Sequence, residues 1–116
     1  TVSPDRYPRY MLMKDGAVRN SYTLRLRNME ARPREMEIAL VGLPEGAKMW
    51  TDTIGLDAAE PRQTVEVPAN ETKIVRAYIV IPKGTSAEEF SFQLTSLDEQ
   101  TEQDAQETTF AMPGDF

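Results

Sequence analysis

None of the 116 residues is Cys and none is His, so the side chains that carry most nucleophilic, general-base and transition-metal chemistry are missing. Disulfides, cysteine-ligated iron–sulfur clusters and imidazole triads are excluded from this stretch of chain. What remains is carboxylate, amine, hydroxyl and thioether chemistry. Met11 and Met13 flank Leu12; on an extended strand both sulfurs point to one side, a soft donor pair that suits Cu(I). Two flexible side chains filling gaps in a core have the same spacing. The densest acidic stretch is Asp98, Glu99, Glu102, Asp104 and Glu107, with no basic residue among them. Hard oxygen ligands suit Ca²⁺, but the stretch has neither an Asp-x-Asp-x-Asp-Gly loop nor any Gly, so a solvated hairpin between two strands is the expectation. The carboxylate pairs Glu35/Glu37 and Glu88-Glu89 could divide acid and base roles only if burial raised one pKa. Both fall opposite to, or beyond, the apolar positions. The Gly residues are isolated, with no phosphate-cradling loop. No catalytic or cofactor-binding residue is assigned. No metal site is assigned either, Met11 and Met13 being the candidates if there were one, and the domain is expected not to be an enzyme.

The elements that would position these groups read as β throughout. Turn signals recur at Asp15-Gly16, Pro33, Gly42 to Gly46, Gly55, Pro61, Pro68 to Asn70, Pro82 to Gly84 and Pro113-Gly114, leaving segments of about 6–10 residues, the rhythm of a sandwich or barrel. From Asn20 to Asn28, Tyr22, Leu24 and Leu26 alternate with Thr23, Arg25 and Arg27, one face apolar and the other charged. Met36, Ile38 and Leu40 alternate between Glu35 and Val41, where a short helix after Pro33 is the competing reading. Lys48 to Thr53 is expected as a short strand carrying the only Trp, Trp50, as a packing residue. Val65 and Val67 precede a Pro68-Ala69-Asn70-Glu71 turn. Thr72 to Ile81 is the most apolar run and belongs at the centre of a sheet. Phe90, Phe92 and Leu94 mark another strand, and Thr108 to Met112 the last, with Phe110 inward. The fold class that follows is all-β: an immunoglobulin-like, two-sheet antiparallel sandwich of about seven to eight strands, spanning residues 1–116 as a single domain.

The net charge of −6 argues against a nucleic-acid partner. Charge is uneven along the chain: residues 1–50 hold 9 basic and 6 acidic groups, residues 51–116 hold 4 and 13. Because the strands of a sandwich interleave, a mixed solvated surface is expected. Arg19, Arg25 and Arg27 share a strand face that could meet anionic lipid or an acidic partner. Cross-strand pairing with carboxylates such as Glu35 and Glu37 is the expectation preferred here. No apolar run approaches the ~18–20 residues of a membrane span, and no signal peptide is evident.

One order of residues is distinctive: Asp5-Arg6-Tyr7-Pro8, then Asp15-Gly16, then Arg19-Asn20-Ser21-Tyr22-Thr23-Leu24-Arg25-Leu26-Arg27-Asn28, followed by Gly42-Leu43-Pro44 and Val67-Pro68-Ala69-Asn70-Glu71. It resembles the C-terminal immunoglobulin-like domain of the FixG/CcoG proteins, the cytochrome c oxidase accessory proteins associated with nitrogen fixation. Tyr7 stands where that family more often has Asn. The resemblance implies that the chain is the C-terminal fragment of an inner-membrane parent with two 4Fe-4S clusters, supplying copper to cbb-type oxidases by reducing Cu(II) to Cu(I). No cofactor is expected in this domain, which would lie on the periplasmic side as a non-catalytic support for a protein partner, either the oxidase assembly or other parts of the parent. The other readings are copper handling through Met11 and Met13, and a generic extracytoplasmic adhesion or binding module.

Overall fold

The computed structural model describes residues 2–4, 10–52, 55, 59–97 and 103–113. Its strands are β1 (Val2–Pro4), β2 (Met11–Leu12), β3 (Val18–Asn28), β4 (Arg34–Val41), β5 (Lys48–Thr51), β6 (Arg62–Val67), β7 (Glu71–Ile81), β8 (Glu89–Ser96) and β9 (Gln103–Thr109). All pair antiparallel. One sheet has the order β1-β3-β7-β5, with β2 also on β3; the other has the order β6-β4-β8-β9. The described residues contain no helix, and the expected two-sheet sandwich is what forms. After β4 the chain crosses to the first sheet for β5, back to the second for β6, and again to the first for β7.

The alternation read from the sequence decides which side chains meet. On β3, Tyr22, Leu24 and Leu26 are buried while Arg25 and Arg27 are exposed. The pairing of β3 with β7 runs unbroken from Val18↔Ile81 to Asn28↔Glu71, which sets Tyr22 beside Ala77 and Leu24 beside Val75. From the facing sheet, Ile38, Val65, Val67, Phe90, Phe92 and Leu94 close the interior. Tyr22 meets Phe90 (ring centroids 5.5 Å, 82°) and Phe92 (5.3 Å, 72°) edge-on, the arrangement that aromatic quadrupoles favour. The β2–β3 hairpin turns at Gly16, whose φ of 88° is open to glycine without strain. There Asp15 accepts the Ala17 N–H through Oδ1 (3.0 Å).

Residues 34–41 form a strand and not the competing helix, because β4 is held on both sides, by β6 and by β8. The final strand lies earlier than expected: β9 spans Gln103–Thr109, and Phe110, though buried, follows it. An edge strand has one flank in solvent, so the polar segment Gln103 to Thr109 can pair with β8 without the apolar alternation that marks an inner strand. Asp104 and Glu107 therefore sit in a ladder and not in a hairpin loop. Asp98, Glu99 and Glu102, like Asp5 to Pro8, lie outside the described residues.

Candidate interaction surface

The distinctive string on β3 divides by parity. Its inward polar residues hold other segments in place. Asn20 clamps the backbone of Ala111 from both sides, donating from Nδ2 to its carbonyl (3.0 Å) and accepting its N–H at Oδ1 (2.8 Å). The Tyr22 hydroxyl donates to the Thr109 carbonyl (2.6 Å); burial pushes its pKa well above the usual tyrosine value. At the other end of β3, Asn28 donates to the carbonyls of Arg32 (2.8 Å), Val67 (3.2 Å) and Pro68 (3.2 Å) and accepts the Glu30 N–H (3.0 Å). These contacts tie the two ends of β3 to the C-terminal segment, the β3–β4 loop and the β6–β7 turn. They are structural; no reacting group is among them.

The outward residues build a different surface. The pairings place Arg19, Arg25 and Arg27 of β3, Arg76 and Tyr78 of β7, and Lys48 and Trp50 of β5 on the outer side of the first sheet. Tyr78 lies at its centre. Its ring stacks on Trp50 (5.6 Å, 23°), and the guanidinium groups of Arg19 (5.3 Å) and Arg76 (5.9 Å) lie over it. Trp50 is buried to 8% exposure although it faces away from the core. It is a packing residue as expected, in a second, smaller cluster. The Arg19 guanidinium also contacts the Met11 sulfur, and its Nε is buried without a hydrogen-bond partner. Among the described residues Asp52, whose N–H donates to the Arg76 carbonyl (3.1 Å), is the acidic one that joins these rows.

On the outer side of the second sheet the balance is reversed. Glu35 and Glu37 of β4, Glu66 of β6, Glu89 of β8 and Glu107 of β9 share that face with one basic residue, Arg62. The preferred expectation, that Glu35 and Glu37 pair across strands with the β3 arginines, is corrected by this arrangement. Although β3 and β4 are consecutive, they lie in different sheets, so their outward residues point in opposite directions. Glu35 stands opposite Glu66, and Glu37 binds Arg62 (3.1 Å). The expectation of a mixed surface fails for the same reason: basic and acidic residues sort by sheet and not by half of the chain.

A groove of about 470 Å³ opens between the sheets beyond the start of β1, lined by Arg25, Asn28, Arg34, Met36, Leu94 and Asp104 among others. Arg34 donates to Ser96 Oγ (2.6 Å) and pairs with Glu30 (3.6 Å). Met11 and Met13 do not share a strand. β2 ends at Leu12, and Met13 stands at the base of the hairpin turn, its N–H donating to the Ala17 carbonyl (2.8 Å). Met11 is at the Arg19 guanidinium, where positive charge opposes a bound cation. Among the described residues, no three acidic groups gather in a way that could hold a metal ion, and no helix is long and apolar enough to cross a membrane. Sequence reasoning missed Tyr78, Arg76 and Lys48 as neighbours of the β3 arginines. The signal that could have found them is the register between β3 and β7, which parity alone does not supply.

Two antiparallel sheets in the order β1-β3-β7-β5 and β6-β4-β8-β9, closed over an apolar interior without a disulfide, define an immunoglobulin-like domain. Residues 1–113 match the family described as the IG-like fold at the C-terminus of FixG, and the chain belongs to that family. It is 39% identical over 76% of its length to protein RdxB of Cereibacter sphaeroides. It is 30% identical over 97% of its length to the nitrogen fixation protein FixG of Rhizobium meliloti. The chain spans only 17% and 22% of those relatives. The crystal structure of a FixG-related protein from Vibrio parahaemolyticus superposes with a TM-score of 0.74 at 19% identity, covering 97% of this chain and 94% of that one; this likeness shows the fold.

Proposed function

We propose that this domain is a non-catalytic docking or support module of a FixG-like membrane iron–sulfur protein, and that its parent assists copper supply and assembly of a cbb-type cytochrome c oxidase. The observation that carries the proposal is the family match over residues 1–113. It is joined to a described surface that brings together charge and aromatic groups but no nucleophile with a base. The clusters belong to other parts of the parent: this chain has no Cys with which to hold them. On this reading the domain lies on the periplasmic side and its partner is a protein, either the oxidase in assembly or another part of the parent.

Removing residues 1–116 from the parent in its native membrane tests this reading. Oxidase activity and copper content per haem are expected to fall, while the iron–sulfur signals of the parent persist in electron paramagnetic resonance. Unchanged oxidase assembly with unchanged cross-linked partners would refute it.

A further inference from the structure

We infer that the outer face of β3, β7 and β5 is a docking surface for a carboxylate-bearing face of another protein. The inference rests on the docking role proposed above and names the chemistry of the partner. Arg19, Arg25, Arg27, Arg76 and Lys48 lie on this face, and among the described residues Asp52 is the acidic one joining their rows. Arg19 and Arg27 are eight residues apart on one strand, so the basic stripe is about 27 Å long.

The side chains are those enriched where proteins meet: Arg, Tyr, Trp and Met. One arginine, at the end of the stripe, is also held in place. Arg19 rests on the Tyr78 ring, contacts Met11 and keeps its Nε buried. Little rotamer freedom is left to lose on binding, and a planar, fixed guanidinium suits a carboxylate in a defined position. A fluid lipid surface places no premium on a fixed fork, and it favours aromatic side chains that project into the headgroups. Here Trp50 and Tyr78 lie stacked together, and Trp50 is buried. A second copy of this chain could offer the glutamates of its own second sheet, but that contact is head-to-tail and builds rings or open filaments, not a two-fold dimer.

The test uses the chain itself with poly-L-glutamate as the carboxylate probe, followed by amide NMR at low and at high salt. Shifts are expected at Ser21, Thr23, Arg76 and Tyr78, fading with salt. Dissociation constants are expected to rise about tenfold in Arg19→Gln/Arg76→Gln and in the exposed pair Arg25→Gln/Arg27→Gln, the equivalent of about 1.4 kcal/mol. Arg62→Gln, on the opposite face, should bind like the parent sequence. The second pair keeps the test valid if the first disturbs folding.

Binding to phosphatidylglycerol vesicles with no response to poly-L-glutamate overturns the inference in favour of a membrane. Salt-sensitive self-association without that response overturns it in favour of a second copy. An absence of shifts, or shifts confined to the β4–β8 face, also overturns it. In the full-length parent, a photo-crosslinker at Ser21 is expected to capture a peptide rich in Asp and Glu; a lipid adduct, or a peptide without acidic residues, counts against it. If deletion of residues 1–116 impairs oxidase assembly but Arg25→Gln/Arg27→Gln/Arg76→Gln does not, this inference fails while the docking reading stands. A silent deletion removes the docking reading itself.

Discussion

Replacing Asn28 should be among the more damaging single changes in the domain. The residue is buried to 4% exposure and makes four hydrogen bonds, three as donor to the carbonyls of Arg32, Val67 and Pro68 and one as acceptor from the Glu30 N–H. A net value of about 1 kcal/mol per bond is typical, but the three donor bonds draw on the two hydrogens of one amino group and two of them are 3.2 Å long, so Asn28→Ala should cost roughly 2–3 kcal/mol. For a domain of this size that corresponds to a fall in melting temperature of roughly 8–20 °C. The sharper comparison is Asn28→Asp. It keeps an acceptor for Glu30 but turns a carboxylate oxygen toward three carbonyls, so at neutral pH it should cost more than Ala. The introduced carboxyl would have a folded-state pKa raised above its unfolded value by burial and by the facing carbonyls. The folded state then binds the extra proton between the two pKa values. Stability is therefore recovered as pH falls from 7 toward the unfolded value and lost again as pH rises. Urea unfolding at pH 7 and at pH 5 measures both effects. If Asn28→Asp were as stable as Asn28→Ala at pH 7 and insensitive to pH, the donor role assigned to this amide would be wrong.

Other substitutions probe the remaining contacts. Tyr22→Phe keeps the rings against Phe90 and Phe92 but removes the bond to the Thr109 carbonyl, and urea unfolding should register a loss of about 1–2 kcal/mol. Because burial raises the folded pKa of Tyr22 above the unfolded value of about 10, the stability of the parent sequence is complete below that pH and declines as pH rises beyond it. That alkaline decline should be shallower in Tyr22→Phe. Gly46 and Gly84 both have positive φ, 90° and 84°, but a Cβ at Gly46 would meet Pro82 Cγ at 2.8 Å while one at Gly84 meets nothing within 4 Å. Gly46→Ala should therefore lower the thermal midpoint further than Gly84→Ala, which pays only the left-handed backbone cost of about 1–2 kcal/mol. In a Cu(I) titration against a competing chelator, Met11→Leu/Met13→Leu should match the parent sequence, since Met11 lies at a guanidinium and Met13 at the base of a turn. Weaker binding by that pair would revive the copper reading.

The parts of the fold that were legible in the sequence are those with a packed face. From Tyr22 to Leu26 on β3 and from Phe90 to Leu94 on β8 every second residue is apolar, and on β7 the buried positions fall within a nearly continuous apolar run, so all three could be placed from residue type alone. β9 was misplaced because its neighbour supplies backbone bonds along only one flank, and its residues need satisfy no apolar partner. The surface was only half legible. Parity put Arg19, Arg25 and Arg27 on one face, but which groups stand beside them depends on sheet membership, a long-range property. Glu35 and Glu37 are closer to these arginines in sequence than Arg76 is, yet Arg76 shares their face and the glutamates do not. Tyr78 illustrates the same limit: within an apolar run it reads as core, and only its place opposite Trp50 makes it the centre of the outer cluster.

The same strand explains why the most distinctive string of residues contains no reactive site. In β3 the inward positions tie down the ends of the sandwich through Asn20, Tyr22 and Asn28, and the outward positions carry the arginines. Side-chain direction alternates strictly, so a slip of one residue would bury Arg25 and Arg27 and expose Tyr22 and both asparagines. Three buried polar anchors, with backbone partners in the C-terminal segment, the β3–β4 loop and the β6–β7 turn, oppose such a slip more strongly than interchangeable apolar residues would. Burying two guanidinium groups opposes it again from the other face. Register and surface charge are thus fixed by the same alternation, and a domain built this way can keep its basic face in place without any chemistry in its interior.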